Sequence, residues 1–299
     1  MSNFSRIVFF NNCHNGDIHY SREFIKWISG RAGVPCSVSH FKCPFLLSDI
    51  GIPYTPINTW SIHQKSIHIQ DDVLFINTWI GQDGGWMHPT GCTLKSNYRM
   101  LTHHASVLGI TLSSEIDYIP SIDYEQYNTS RISVRQNRNI FICNGSALSS
   151  QAKNFDMDLV VLQLAKKHKN CDFYVTQKIE TDLNNVFDAN SMTDIGVGNK
   201  TSNLNELSFL STLCDVIVGR ASGPFCFAGV KTNLFNPSKT IMSFGNTERE
   251  SHWVLMSDYE CDMRAKQLWR ECHVSKNDTY EPLVFEDIDR EITSKYGSS

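Results

Sequence analysis

The chain predicts an α/β protein in two lobes, each a mostly parallel sheet with helices on both faces. Short apolar runs alternate with helical patterns along most of the 299 residues. The alternation breaks between Ile119 and Asn137 and then restarts. Each half also carries a glycine-containing strand-to-helix turn, Asn15-Gly16-Asp17-Ile18-His19 and Val218-Gly219-Arg220-Ala221-Ser222-Gly223-Pro224. Such alternation buries a parallel sheet under helices, and ligands of open α/β sheets lie beyond the carboxyl ends of the strands. Two such turns imply two sheets facing each other across a cleft, with one reactant on each side.

Taken in order, Ile7–Phe10 reads as a buried strand and a helix opens near Ile18. Tyr20–Ser29 is helical, with Phe24, Ile25, Trp27 and Ile28 as its apolar face and Gly30 as its stop. Val34–His40 is a second strand. Pro53–His68 has no clear period. Val73–Ile76 is a strand that empties into a Gly-rich aromatic loop with Trp79 and Trp86, a composition suited to binding. Leu94–Leu108 reads as helix. Pro120, Ser121, Asn128, Thr129 and Ser130 mark the linker between domains 1–125 and 137–299. The second half gives strand Asn139–Cys143, loop Asn144–Ser150, helix Asp156–His168, strand Asp172–Thr176, an apolar stretch Met192–Val197, helix Asn205–Thr212 and strand Asp215–Gly219. The tail Phe285–Tyr296 is a closing helix, which is expected to pack back on the first domain.

With 41% hydrophobic and 19% charged residues, the chain can build real cores and is not a disordered or fibrous protein. A net charge of -4 argues against general nucleic-acid binding by phosphate neutralisation. The ten cysteines contain no C-x-x-C pair, so neither zinc spacing nor a redox motif is present. Neither a signal-peptide pattern nor an apolar stretch of membrane-spanning length is visible. A cytoplasmic protein with reduced thiols is the expectation.

Asp17 has two readings that stay open together. A carboxylate at such a turn accepts a proton from a hydroxyl, or it caps the helix. His19 and Arg22, within the first turn, either bind an anionic or hydroxylated partner or are ordinary surface side chains. At the second turn, Gly219 and Gly223 allow close backbone approach, the amides of Ser222–Phe225 suit a phosphate, and Arg220 adds charge against a diphosphate. A plain tight turn is the alternative. Asn144-Gly145-Ser146 with Lys153 repeats the arrangement. Trp79 and Trp86 are either part of a binding surface or core. No G-x-G-x-x-G, Walker, H-E-x-x-H or G-x-S-x-G pattern occurs, and no metal site is expected.

Together these motifs resemble the GT-B glycosyltransferases, most closely the ADP-heptose:lipopolysaccharide heptosyltransferase family. The resemblance runs through Asn15–His19, Cys143–Ser146 with Lys153, Asn203–Leu207, Cys214–Gly219 and Ala221–Ala228, in order and across both halves. It implies two Rossmann-like domains facing each other across a cleft, and inverting, metal-independent transfer of a sugar from a nucleoside diphosphate sugar to a glycan or glycoconjugate hydroxyl. No cofactor is implied beyond that donor, and a membrane-borne acceptor would be met by peripheral contact.

By the same resemblance Asp17 is the base. Asn15, His19, Arg22 and Trp79 meet the acceptor. Ser146, Lys153, Thr176, Arg220, Ser222, Gly223, Pro224 and Phe225 meet the donor. Ala221 and Cys226 stand where the family has an acidic residue and a histidine, which argues against a heptose donor. Tyr20–Glu23 lacks the family's proline, so acceptor preference does not carry over. A non-catalytic nucleotide-sugar-binding protein and a sugar-nucleotide epimerase of the same fold remain as alternatives.

Overall fold

A computed structural model describes residues 4–79, 102–110, 119–146, 155–196, 201–220, 222–245, 264–272 and 279–297. The expectations placed on Trp86, Lys153, Ala221 and residues 94–101 lie outside them. Contacts divide the chain into two compact units that change over between Gln126 and Tyr127.

The first unit is built on a four-stranded sheet in the order β2-β1-β4-β3. β1 (Arg6–Asn11) pairs in parallel with β2 (Cys36–His40) on one side and β4 (Val73–Asn77) on the other. β1 and β4 read as unbroken apolar runs because helices and loops cover both sheet faces, and Ile7, Val8, Phe9 and Phe10 are all buried. β3 (Ile67–Gln70) runs antiparallel to β4 at the edge. Its two-residue turn puts Asp71 and Asp72 at positive φ, the twist that short hairpins require.

The expected helix at 20–29 is two helices, α1 (Asn15–Tyr20) and α2 (Arg22–Ser29), which meet at Ser21. The first opens at Asn15, three residues before the expected start. Residues 102–107 are helical, within the predicted 94–108.

The second unit holds a six-stranded sheet in the order β10-β9-β8-β5-β6-β7. The strands are β5 (Arg138–Cys143), β6 (Cys171–Val175), β7 (Val186–Asp188), β8 (Val216–Arg220), β9 (Thr240–Gly245) and β10 (Lys266–Glu271). Every pairing is parallel. Counted from β5, the order is the doubly wound one of dinucleotide-binding folds, whose direction reverses between the first and fourth strands. Here that switch falls between β5 and β8.

α3 (Met157–Lys167) begins where the Asp156 carboxylate accepts from the Leu159 amide at 2.9 Å, an N-cap. α4 (Leu204–Thr212), α5 (Gly223–Ala228) and α6 (Lys231–Leu234) follow. The stretch Met192–Val197 holds no strand in its described part, residues 192–196; the edge strand is β7, just upstream.

The last helix, α7 (Glu281–Tyr296), is longer than expected, and its apolar stripe is spent inside the second unit. Val284, Ile288 and Ile292 recur every fourth residue, are fully buried, and join the core of α3 and the sheet. Arg270 pairs with Asp287, Lys266 with Glu291, and the Tyr296 hydroxyl donates to Asp215 at 3.0 Å.

Candidate functional site

At the carboxyl end of β1 the chain turns through Asn12 and Cys13 into α1. The turn is held by buried amides and hydroxyls. Asn11 Oδ1 accepts from the Cys13 amide at 2.9 Å, and Asn11 Nδ2 donates to Thr78 Oγ1 at 3.3 Å. Thr59 donates to Asn12 at 2.8 Å. Asn77, closing β4, donates to the carbonyls of His63 and Lys65 and accepts from the Trp79 amide at 2.9 Å. Asn11 and Asn77 thereby satisfy backbone that the strand ends leave unpaired, while Thr59 fixes Asn12 side chain to side chain.

Asp17 is the third residue of α1 and is 7% exposed. Its carboxylate accepts from the His14 amide at 3.2 Å, so it caps from inside the helix rather than as the N-cap residue, which is His14. Burial pushes its pKa up to about 7, against a smaller opposing pull from backbone hydrogen bonds at His14 and its own amide. A carboxyl group with that pKa exchanges a proton near neutrality. Asn15, two residues earlier, has a buried Oδ1 with no hydrogen-bond partner.

His19 and Arg22 are placed differently from the expectation. Both are fully buried. Arg22 Nε donates to His19 Nδ1 at 3.0 Å, Nη2 donates to the Leu46 carbonyl at 2.6 Å, and Nη1 pairs with Asp49. Their polar atoms tie α1 and α2 to the 3-10 segment Pro44–Ile50. Trp79 is half-buried and stacks on His63, with centroids 4.6 Å apart and planes at 12°.

In the second unit the switch point is knitted by two residues. Asn144 Nδ2 donates to Asp158 at 2.7 Å and to the Gln177 carbonyl at 2.8 Å, while its Oδ1 accepts from the Gln177 amide at 2.8 Å. Arg220 is 1% exposed. Its Nη2 donates to the carbonyls of Asn144 (2.6 Å) and Gly145 (3.0 Å), and its Nη1 to that of Phe155 (2.8 Å). Both terminal nitrogens of the guanidinium are turned onto backbone carbonyls, in place of the expected contact with a diphosphate, while the buried Nε has no hydrogen-bond partner.

Gly219 is tight for a related reason. A Cβ there would lie 2.6 Å from the Phe225 ring and 2.9 Å from Cys143 Cβ. The close approach expected for a ligand is made instead by Phe225, which is fully buried beneath the turn. Gly223 has no such restriction, since a Cβ would meet Leu204 at an ordinary 3.8 Å.

Ser146 is exposed, and Thr176, Ser222, Gly223 and Pro224 are partly so. All five lie at the carboxyl ends of β5, β6 and β8. Ser222 Oγ is buried and has no hydrogen-bond partner. Cys226 is buried in α5. The cysteines among the described residues are all free thiols. A cavity of about 330 Å³ lies apart from these turns, along β10 and α7, where Lys266 and Arg270 are already paired.

Sequence reasoning missed the asparagine scaffold, although a signal was present. Asn11, Asn77 and Asn144 each directly follow a buried apolar run, Phe9-Phe10, Phe75-Ile76 and Ile142-Cys143.

No protein-family model and no curated protein matches the chain. Solved structures do. ADP-heptose lipopolysaccharide heptosyltransferase II of E. coli is 10% identical, with 97% of this chain and 99% of that one covered and a TM-score of 0.58. E. coli heptosyltransferase WaaC with ADP is 8% identical, with 97% and 99% covered and a TM-score of 0.53. A glycosyl transferase family 9 protein of Veillonella parvula is 10% identical, with 99% and 98% covered and a TM-score of 0.52. At these identities the likeness is one of fold. The chain has the GT-B fold of these glycosyltransferases.

Proposed function

We propose that the chain is an inverting glycosyltransferase that moves a sugar from a nucleoside diphosphate sugar to a hydroxyl of a glycan acceptor, with Asp17 as the base. The observation that carries this reading is a buried carboxyl group, raised to about pKa 7, in the first turn of the helix after the central strand of its sheet. A base tuned near the working pH combines the right protonation state with enough driving force. The E. coli structure with ADP shows that a protein of this fold holds a nucleotide.

In the proposed step Asp17 removes the acceptor hydroxyl proton. The oxygen attacks the anomeric carbon, and the bond from that carbon to the diphosphate breaks on the opposite face. The electron pair leaves with the diphosphate, and the configuration inverts. The proposal assigns the acceptor to the first unit and the donor to the β5–β8 switch point of the second. There Ser146, Thr176, Ser222, Gly223 and Pro224 form the rim, and backbone amides meet the developing charge on the leaving phosphate. Lys153 belongs to the same proposed donor set. Arg220 and Phe225 support it from beneath. The step is written without a metal, so transfer is expected to persist in chelator.

The test is release of nucleoside diphosphate from a panel of nucleotide sugars, with and without glycan acceptors, and identification of the product by mass and anomeric configuration. Acceptor-dependent release with inversion supports the reading. Epimerised donor, or binding with no turnover, contradicts it.

A further inference from the structure

The edge strands of the two sheets are β2, β3, β7 and β10, and all but β3 are guarded. Residues 53–55 lie along β2, where the Val38 amide donates to the Pro53 carbonyl and the Thr55 amide donates to the Val38 carbonyl, both at 2.8 Å. β7 has only three residues. β10 carries Lys266, Arg270 and Glu271. A covering segment, short length and charge are the usual protections of a sheet edge. β3, Ile67-His68-Ile69-Gln70, has no proline, lysine, arginine or acidic residue, and no strand pairs with its outer side among the described residues.

The pairing with β4 fixes which groups face outward. The Asn77 amide donates to the Ser66 carbonyl at 2.9 Å, and the register sets His68 opposite Phe75 and Gln70 opposite Val73. Ser66, His68 and Gln70 therefore turn their main-chain groups toward β4. Antiparallel strands alternate such positions, so the N–H and C=O groups of Ile67 and Ile69 point away from the sheet. The Ile69 side chain is 58% exposed. Lys65, Gln70 and Asp71 are exposed around it.

The segment Lys65-Ser66-Ile67-His68-Ile69-Gln70-Asp71 is its own complement when laid antiparallel on a second copy. With a two-fold axis at His68, Ile67 falls opposite the partner's Ile69 and Ser66 opposite the partner's Gln70. Lys65 then faces the partner's Asp71, and the outward groups of Ile67 and Ile69 meet in hydrogen-bonded pairs. Apolar and opposite-charge pairs directly across a strand pair are both favourable. Moving the axis to Ile67 or to Ile69 sets Lys65 or Asp71 opposite an isoleucine instead. An unrelated strand would give Lys65 and Asp71 no reason to match each other.

We propose that β3 is a self-association surface, on which two copies of this chain join their first sheets edge to edge across a two-fold axis at His68. Such a contact closes on itself and leaves no open edge for further copies. A four-residue strand is small beside the roughly 800 Å² per partner of a standard interface, so the dimer is reversible and forms in the micromolar range.

The experiment is sedimentation velocity of the full-length chain from low to high micromolar concentration, joined to cross-linking at the axis. The wild type is expected to shift from monomer to dimer. Ile69→Lys sets a cation opposite the partner's Ile67 and is expected to weaken the dimer about tenfold or more, at the melting temperature of the monomeric wild type because the side chain is exposed. His68→Cys places a thiol at the axis, in a non-hydrogen-bonded pair whose side chains approach closely. Mild oxidation with copper phenanthroline is expected to convert that variant, and not the wild type, to a disulfide-linked dimer. A wild type that stays monomeric at every concentration overturns the proposal. So does a dimer that survives Ile69→Lys unweakened, or one that His68→Cys fails to cross-link, since either would place the contact elsewhere.

Discussion

The turn after β1 and the turn after β8 share a sequence style, with glycine, a charged residue and a helix start, yet they treat their charge in opposite ways. At the first, the Asp17 carboxyl is buried against the backbone amides of His14 and of Asp17 itself and held near pKa 7. At the second, the Arg220 guanidinium is closed over three carbonyls of its own backbone. The difference lies in which atoms the surrounding chain leaves unpaired. A strand end with orphan carbonyls captures a cation, and what remains for a ligand is the backbone that the cation holds in place. A carboxylate meeting few donors keeps its proton affinity and stays reactive.

Asp17→Asn breaks the comparison hardest. An asparagine oxygen still accepts from the His14 amide, so the fold persists, while transfer is expected to fall by roughly 10²–10⁴ in single-turnover assays. Arg220→Ala is expected to cost about 2–4 kcal/mol in urea unfolding, because three buried carbonyls lose a charged donor. Arg220→Lys recovers only part of this, since an ammonium lacks the planar fork. Gly219→Ala forces the Phe225 ring and Cys143 to shift and is expected to cost about 1–3 kcal/mol, read as a lower melting temperature. The smallest contrast is Asp17→Ala against Asp17→Asn. Loss of the cap alone is expected to cost about 1 kcal/mol, with equal loss of transfer in both; a stability cost without further loss of rate separates the cap from the base.

Much of this fold was legible in the sequence for a physical reason. β1, β4, β5 and β8 are covered on both faces, so each announces itself as a continuous apolar run. β3, β7, β9 and β10 were missed, β9 (Thr240–Gly245) although it is buried throughout, because Thr240, Ser243 and Gly245 interrupt its apolar run. Ile67–Gln70 is an edge strand only partly buried, with an Asp-Asp turn in place of the usual glycine, and Val186–Asp188 has three residues. The break between α1 and α2 was also hidden, because Tyr20 and Phe24 keep a helical period across it.

The positions of the two turns and of Asp17 were likewise legible. The fates of His19, Arg22 and Arg220 were not. Each depends on partners far along the chain, namely Asp49, Leu46, Phe155 and Asn144, whose pairing no local pattern encodes. Cationic residues near a glycine look the same whether they face a phosphate or a carbonyl.

Asp17 also couples to stability with a definite sign. Its folded pKa lies above the unfolded value, so the native state binds the extra proton between about pH 4 and pH 7. Wild-type stability relative to Asp17→Asn is therefore expected to fall by about 1.4 kcal/mol per pH unit across that window, and to level off above it. Urea titrations at pH 4, 5.5, 7 and 8.5 read the slope directly; parallel stabilities for the two proteins would show that the carboxyl is not held neutral by burial.

The most direct test of the central claim is the pH dependence of kcat/KM for acceptor glycosylation. The account predicts a single rise to a plateau with its midpoint near pH 7, abolished in Asp17→Asn. A midpoint near pH 4, or the same rise surviving in that variant, would contradict it.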